Sequence, residues 1–211
     1  MALIQGTEFS LFWDKDREML RDLPFSGRVE WLEKRIDQIL IGPLKALEMV
    51  EKQRYVWLAV TELICAGIES LAGFYGDGRH PTNTDPDVSP FCRFVHRFMH
   101  GDFSRTAESI SEGSWTYCEH LHKYFRGGLD HGFGIEWGGL WHDGEDGTHG
   151  YLRPAADGKG IAIDPRKLLD DFCLATQKYF SALRWEGEKS LIGENFQNRF
   201  NRMLEYRSRN R

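Results

Sequence analysis

The segment that most limits how this chain can fold is residues 55–75, YVWLAVTELICAGIESLAGFY. It is apolar nearly all the way round, and as a helix it is long enough to cross a membrane. Glu62 and Glu69 lie inside it, however, and two carboxylates in hydrocarbon would together cost several kcal/mol. The segment therefore predicts the central, buried helix of a soluble protein, with no membrane partner.

Amphipathic helices are predicted on both sides of this segment. Residues 28–41 place apolar side chains at helical spacing, with Ser26 as the N-cap: Val29, Leu32, Ile36, Ile39 and Leu40. Gly42-Pro43 is expected to break or kink that helix, with Pro43 opening the next one.

Two further helix starts are readable from cap residues. Ser89-Pro90 reads as an N-cap and a first-turn proline for a helix over 91–100. Ser114 is the expected cap of a helix over 114–127.

The residue pattern of the chain changes at residue 132, from helical spacing to alternation with glycine. Residues 132–163 alternate aromatic and aliphatic residues with glycine, and they contain three Asp-Gly turn signals, which predicts a small antiparallel β meander. Asp164-Pro165 then opens a helix, and a last helix runs to about residue 206. The predicted fold class is mainly α: a single domain over 1–211, with a helical bundle (28–131 and 165–206) and a β insertion (132–163).

Charge and cysteine content limit the compartment and the partners. The net charge of −5 gives no global basic field that would attract nucleic acid. The four cysteines form no CxxC motif and are expected to be buried free thiols, although spacing alone leaves disulfides open. The N-terminal stretch lacks the basic start and the apolar stretch of a signal peptide, so a cytoplasmic protein is expected.

Residues 123–139, KYFRGGLDHGFGIEWGG, contain the strongest functional signal. Arg126 lies at the end of the predicted helix, and His131 follows in an Arg-x4-His arrangement. A late helix with this motif, after a long helical hairpin, resembles the HEPN superfamily of all-helical proteins. The resemblance covers roughly residues 28–206, and its signature, Arg-x4–6-His, rests on Arg126 and His131 alone.

The resemblance implies an activity and a partner. Many members of the superfamily are metal-independent ribonucleases that act as dimers, often in toxin–antitoxin or defence systems, and others are catalytically silent. The chemistry agrees with the residue types. A histidine moves protons near neutral pH, and the planar fork of an arginine suits the charge that grows on phosphate. Arg126 and His131 are therefore the candidate catalytic residues.

Helical spacing brings two more side chains to this motif. His122 (i−4) and Asp130 (i+4) would share a helix face with Arg126, so both are candidate substrate-binding residues. Arg126 and His131 themselves would lie about 140° apart on an ideal helix. Unwinding at Gly127-Gly128, or pairing of two subunits, would be needed to bring them together.

A structural role is the alternative for the same arginine. Arg126 could bind the carboxylate of Glu62 or Glu69 on the central helix, because buried carboxylates need a partner. The position after the arginine is usually polar in the nuclease members of the superfamily, and here it is Gly127. This alternative predicts a non-catalytic, dimerising interaction module.

Two other sets of residues invite hypotheses. The C-terminal stretch RFNRMLEYRSRNR is the one basic cluster, and Arg199 and Arg202 are its candidate contacts to RNA phosphates; a solvated helix end is the alternative. His96 and His100 would share a helix face as zinc ligands do, but no cysteine or carboxylate completes a set. We expect no metal and no cofactor, and possible RNA or nucleotide as the partner of a homodimer.

Overall fold

The computed structural model describes residues 18–48, 54–76, 89–104, 115–126, 138–140, 151–155 and 160–205. This part of the chain is mostly helical, as predicted. Its α-helices after the helical residues 18–22 are α1 (Phe25–Ile36), α2 (Gly42–Glu48), α3 (Arg54–Tyr75), α4 (Pro90–Phe98), α5 (Tyr117–His120), α6 (Pro165–Glu186) and α7 (Leu191–Glu205). The division of the whole chain into one domain stays a prediction.

Helix α3 lies at the centre of the bundle. It packs against α2, α4, α6 and α7, and also against the helical turns that follow α5. Val60, Ile64 and Ile68 on its inner side are fully buried. In the described part of the chain, Val56–Tyr75 is the one helix whose length and composition would also suit a membrane span. This helix packs on several neighbouring helices, as the central helix of a bundle does.

Proline and a short polar side chain begin two helices, as the sequence predicts. The Ser89 hydroxyl accepts the N–H of Cys92 at 3.2 Å, with Pro90 in the first turn of α4. The Asp164 carboxylate accepts the N–H groups of Arg166 and Lys167 at the start of α6. Each cap satisfies backbone donors that have no partner inside the helix.

Two other predicted helix starts differ from the structure. Helix α1 begins at Phe25, with Pro24 at the cap position, so Ser26 lies inside its first turn and is not the cap. Helix α5 begins after Thr116, whose side chain forms a reciprocal capping box with Glu119. The predicted cap Ser114 lies outside the described residues. The Thr-x-x-Glu pattern of a capping box was readable in the sequence and outweighs a lone serine.

The predicted break at Gly42-Pro43 is a widened turn. Residues Asp37–Ile41 form a π-helical turn that leads directly into α2, so the helix changes its pitch without ending. Proline has no N–H and clashes with the carbonyl four residues earlier, and a π turn relieves both problems. The extra residue also rotates the chain, which leaves Ile39 53% exposed although helical spacing predicted it on the buried face.

A three-stranded sheet lies within the predicted insertion. Its strands are β1 (Gly138–Leu140), β2 (Leu152–Pro154) and β3 (Ile161–Ile163). The β2–β3 pair is antiparallel, as predicted, but β1 pairs with β3 in parallel, so the order is β1-β3-β2. All three residues of β3 are buried, which suits the central position of the sheet rather than an edge.

The turn between α6 and α7 is tightly closed. Gly187 ends α6 with φ at +81°, a conformation that favours glycine. A Cβ on Gly193 would clash with the Gly187 carbonyl oxygen. The Ser190 hydroxyl donates to that carbonyl and accepts the N–H of Gly193. The direction of α7 is therefore set by the close backbone approach at Gly193 and by the hydrogen bonds of the Ser190 hydroxyl.

The four cysteines are free, as expected from their spacing. Cys65, Cys92 and Cys118 are buried, whereas Cys173 is half-buried. The thiols of Cys92 and Cys118 share a hydrogen bond where α4 meets α5. In the described structure the cysteines are packing residues.

Asp171 joins three separate elements. Its carboxylate accepts the N–H of His100, just after α4, at 2.9 Å and the phenol O–H of Tyr151, just before β2, at 3.4 Å. Burial raises the pKa of Asp171 above its ordinary value, and the His100 and Tyr151 contacts offset this only in part. The charged carboxylate is thus less favourable in the folded chain than in the unfolded one.

We therefore predict a pH-dependent difference between the parent protein and Asp171→Asn. A raised folded-state pKa means that the stability contributed by Asp171 is fully present below the unfolded value, 3.8, and is lost as pH rises through the folded pKa. The asparagine keeps an acceptor and carries no charge. Thermal unfolding should show the melting temperature of Asp171→Asn gaining on that of the parent as pH rises from about 4 to 7.

The exposed neighbour Asp170 supplies the control. Asp170→Asn removes a carboxylate from the exposed side of the same helix, and its melting curves are the reference against which those of Asp171→Asn are compared. Parallel curves for Asp171→Asn would contradict the prediction.

Candidate functional site

The candidate site begins where α5 widens. After the capped first turn, the helix continues as π-helical turns over Leu121–Arg126, which pack on α3. Such turns are rare in proteins and frequently lie at functional sites. Leu121 and Phe125 are fully buried in the core, and this anchors the segment while Arg126 stays partly exposed at its end.

Arg126 binds the central helix through a carboxylate. Its Nε donates to Oε2 of Glu69 at 2.7 Å, and the two side chains are 34% and 26% exposed. The sequence offered Glu62 and Glu69 as structural partners, and this ion pair uses Glu69. Because both groups still reach solvent, the pair contributes about 1 kcal/mol or less to stability.

His122 shares the environment of this ion pair. Its ring packs against Phe91 of α4, with ring centroids 4.8 Å apart. Burial lowers the pKa of His122; the charge of Glu69 raises it and that of Arg126 lowers it. The predicted i−4 neighbour of Arg126 thus lies close enough to sense both charges, and its imidazole is kept neutral near neutral pH.

The floor of the site is a buried thiol. Cys65 lies one turn before Glu69 on α3 and is 1% exposed. Burial raises the pKa of Cys65 to about 12, although the charge of Arg126 acts in the opposite direction. The thiol therefore stays protonated, and the charges that act on it are those of Arg126, Glu69 and Glu62.

The C-terminal helix brings a second arginine to α3. Arg199 of α7 is half-buried, with its Nε 3.5 Å from the position that a Cβ on Gly73 would occupy. Gly73 lies one helical turn after Glu69, so the two positions share a face of α3. The other predicted phosphate contact, Arg202, is exposed on α7.

The remaining predicted site residues can be placed only in part. Asp130 and His131 lie outside the described residues, as do Gly127 and Gly128, so the Arg-x4-His pair stays a prediction. The sequence did not indicate that α7 would reach the same face of α3 as Arg126. Helical periodicity shows which side of a helix is buried, but it does not identify the neighbour that buries it.

The histidines considered as zinc ligands are not grouped. His100 lies beyond the end of α4, so it is not in helical register with His96. Within the described ranges, no three His, Cys, Asp or Glu side chains form a group that could hold a metal ion.

The chain matches no protein-family model, and comparisons with curated proteins and with solved structures give no significant match.

The electrostatics of the site predict how the pKa of His122 responds to substitution. Glu69→Gln should lower it, because the neighbouring negative charge is removed, and Arg126→Gln should raise it. Glu62→Gln, on the same helix outside the ion pair, is the control and should leave it unchanged. NMR titration of the imidazole measures all three, and a pKa of His122 that is unchanged in both Glu69→Gln and Arg126→Gln would show that the three side chains are not neighbours in solution.

Proposed function

We propose that this chain is a HEPN-like helical protein that binds a phosphate group of RNA or of a nucleotide at Arg126. The observation that supports the proposal is the Arg126 guanidinium, still one-third exposed while Glu69 holds its Nε beside His122. A carboxylate that holds an arginine fixes the plane of the guanidinium, and a fixed fork loses little entropy when it binds phosphate.

The neutral imidazole of His122 suits the same role. An incoming phosphate would favour the protonated form of His122 and so raise its pKa. The protonated His122 would then be a second cation beside Arg126, and it would offset the negative charge of Glu69 when the phosphate binds. Phosphate affinity should accordingly increase as pH falls through the pKa of His122.

The catalytic form of this proposal adds His131. In a metal-independent endoribonuclease of a toxin or defence system, His131 would move the proton of the attacking 2′-hydroxyl, and Arg126 would stabilise the growing charge on phosphate. A homodimer and a cytoplasmic location belong to the same proposal.

A second candidate function rests on the ion pair itself. If the main role of Arg126 is to neutralise Glu69, the chain is a non-catalytic, dimerising interaction module. The net charge of −5 and the glycine at position 127 favour this candidate.

RNA binding and cleavage by the purified protein in EDTA test the proposal. We expect binding of a mixed single-stranded and structured RNA that is lost in Arg126→Ala, and the catalytic form further predicts cleavage that is lost in both Arg126→Ala and His131→Ala. A half-exposed ion pair adds little stability, so Arg126→Ala should fold.

Arg97→Ala is the matched control. Arg97 also forms an ion pair, with Glu186 at 2.9 Å, and is 49% exposed, but it lies on α4 and contacts the end of α6. Equal RNA binding by the parent, Arg126→Ala and Arg97→Ala would overturn the proposal. Absence of RNA binding by a parent that sediments as a dimer would favour the interaction module.

A further inference from the structure

Two buried thiols meet where α4 packs on α5. Cys92 lies in the first turn of α4, and Cys118 lies in the first turn of α5. The two side chains are 2% and 0% exposed. The Cys118 thiol donates a hydrogen bond to the Cys92 sulfur, so the two sulfur atoms are in contact. A disulfide between them would need the sulfur atoms to approach each other by only about 2 Å or less.

The surroundings of the two sulfur atoms make them chemically different. The hydrogen bond from Cys118 lowers the pKa of Cys92; burial raises it, and the Ser89 hydroxyl lowers it, so that it lies below its ordinary value. The N–H groups in the first turn of α4 also favour negative charge there. Burial raises the pKa of Cys118, and the hydrogen bond to Cys92 raises it further. Cys92 is therefore the thiol that can lose its proton, and Cys118 is the one that keeps it.

A third thiol lies near this pair but is less suited to the same chemistry. Cys65 of α3 is close enough for its charge to act on Cys118. Burial raises the pKa of Cys65 to about 12, so almost none of it is thiolate near neutral pH. The reactive pair is therefore Cys92 with Cys118.

The same interface carries part of the candidate site. Phe91, next to Cys92, packs its ring on His122, and His122 follows Cys118 by four residues. A covalent bond between Cys92 and Cys118 would therefore fix α4 to α5 directly beside His122.

We propose that Cys92 and Cys118 are an oxidation site at which a small hydroperoxide forms a reversible disulfide between α4 and α5. The site does not depend on phosphate binding at Arg126. Because both thiols are covered, the oxidant must be small: hydrogen peroxide can enter through a local opening of the interface, whereas glutathione disulfide is too large to do so.

The reaction proceeds in two steps. The Cys92 thiolate attacks one oxygen of hydrogen peroxide, the O–O bond breaks, and the leaving hydroxide takes up a proton equivalent to the one that Cys92 released, which forms water. The Cys118 sulfur then attacks the sulfur of the Cys92 sulfenic acid. The S–O bond breaks, and the leaving hydroxide takes the Cys118 proton to form a second water. The two thiols lose two electrons, and the peroxide gains them.

The first test maps disulfides in the folded protein after treatment with hydrogen peroxide. The remaining thiols are blocked with N-ethylmaleimide in denaturant, and the peptides are identified by mass spectrometry. We expect two of the four cysteines to escape blocking, in one linked pair that contains Cys92 and Cys118. Dithiothreitol should restore all four thiols, and glutathione disulfide at the same concentration should react at least tenfold more slowly. Cys173→Ala, on α6, is the matched control and should form the same disulfide.

Two alanine variants test the separate roles of the thiols. In Cys118→Ala the Cys92 sulfenic acid has no thiol to react with, so dimedone added with the denaturant should label Cys92. In Cys92→Ala the thiol of Cys118 should stay unlabelled. Alanine is small and apolar, so both variants should fold, and thermal unfolding before oxidation checks this.

Thermal unfolding after oxidation gives a second readout. The disulfide would close a loop of about 27 residues and so restrict the unfolded chain. The melting temperature of the oxidised parent should rise by on the order of 5–10 °C, and those of Cys92→Ala and Cys118→Ala should not rise.

Several results would overturn the proposal. Four reactive thiols after peroxide treatment would do so, as would a linked pair that contains Cys65 or Cys173. Oxidation of Cys92 to the sulfinic acid in the parent, with no link to Cys118, would also contradict it. Dimedone labelling of Cys118 in Cys92→Ala, with none on Cys92 in Cys118→Ala, would overturn the assignment of Cys92 as the attacking thiol.

Discussion

The enclosure of α3 is the constraint on which the rest of the structure depends. Four other helices and the π-helical turns pack against this helix and bury its inner side, where Val60, Ile64 and Ile68 are fully covered. The two carboxylates settle which side stays open, because a glutamate is costly to bury without a partner. Glu69 has obtained a partner from another helix, and this contact places Arg126 at the boundary between core and solvent.

The same contact explains why a structural and a functional role are hard to separate for Arg126. An arginine that neutralises a carboxylate at the edge of a core is also an arginine held still at the surface, with an imidazole beside it. The structural role and the phosphate-binding role need the same geometry of Arg126. They differ only in whether water or a ligand contacts the exposed side of its guanidinium. The chain can therefore keep its fold whether or not a ligand binds.

Sequence reasoning succeeded where the cause was local. The central helix, the proline-led starts of α4 and α6 and the position of the sheet follow from composition, caps and turn signals within a few residues. It failed where a local rule met another constraint. Pro43 was accommodated by a π turn, which moved Ile39 into solvent. A meander that follows the chain would have β2 in the middle of the sheet. The buried strand β3 lies there instead, between β1 and β2.

For the candidate site, spacing was sufficient to align His122 with Arg126 and to name Glu69 as one of two partners. Spacing could not show that α7 would lay Arg199 over Gly73, because that contact joins residues 126 positions apart in the chain. The tight turn between α6 and α7 makes this long-range placement reproducible. Adding one residue within the first turn of α7, after the contacts that hold its start, would rotate the rest of the helix by about 100° about its axis and carry Arg199 away from α3. The number of residues in that turn, as much as their identity, therefore determines the electrostatic potential on a surface that the turn does not touch.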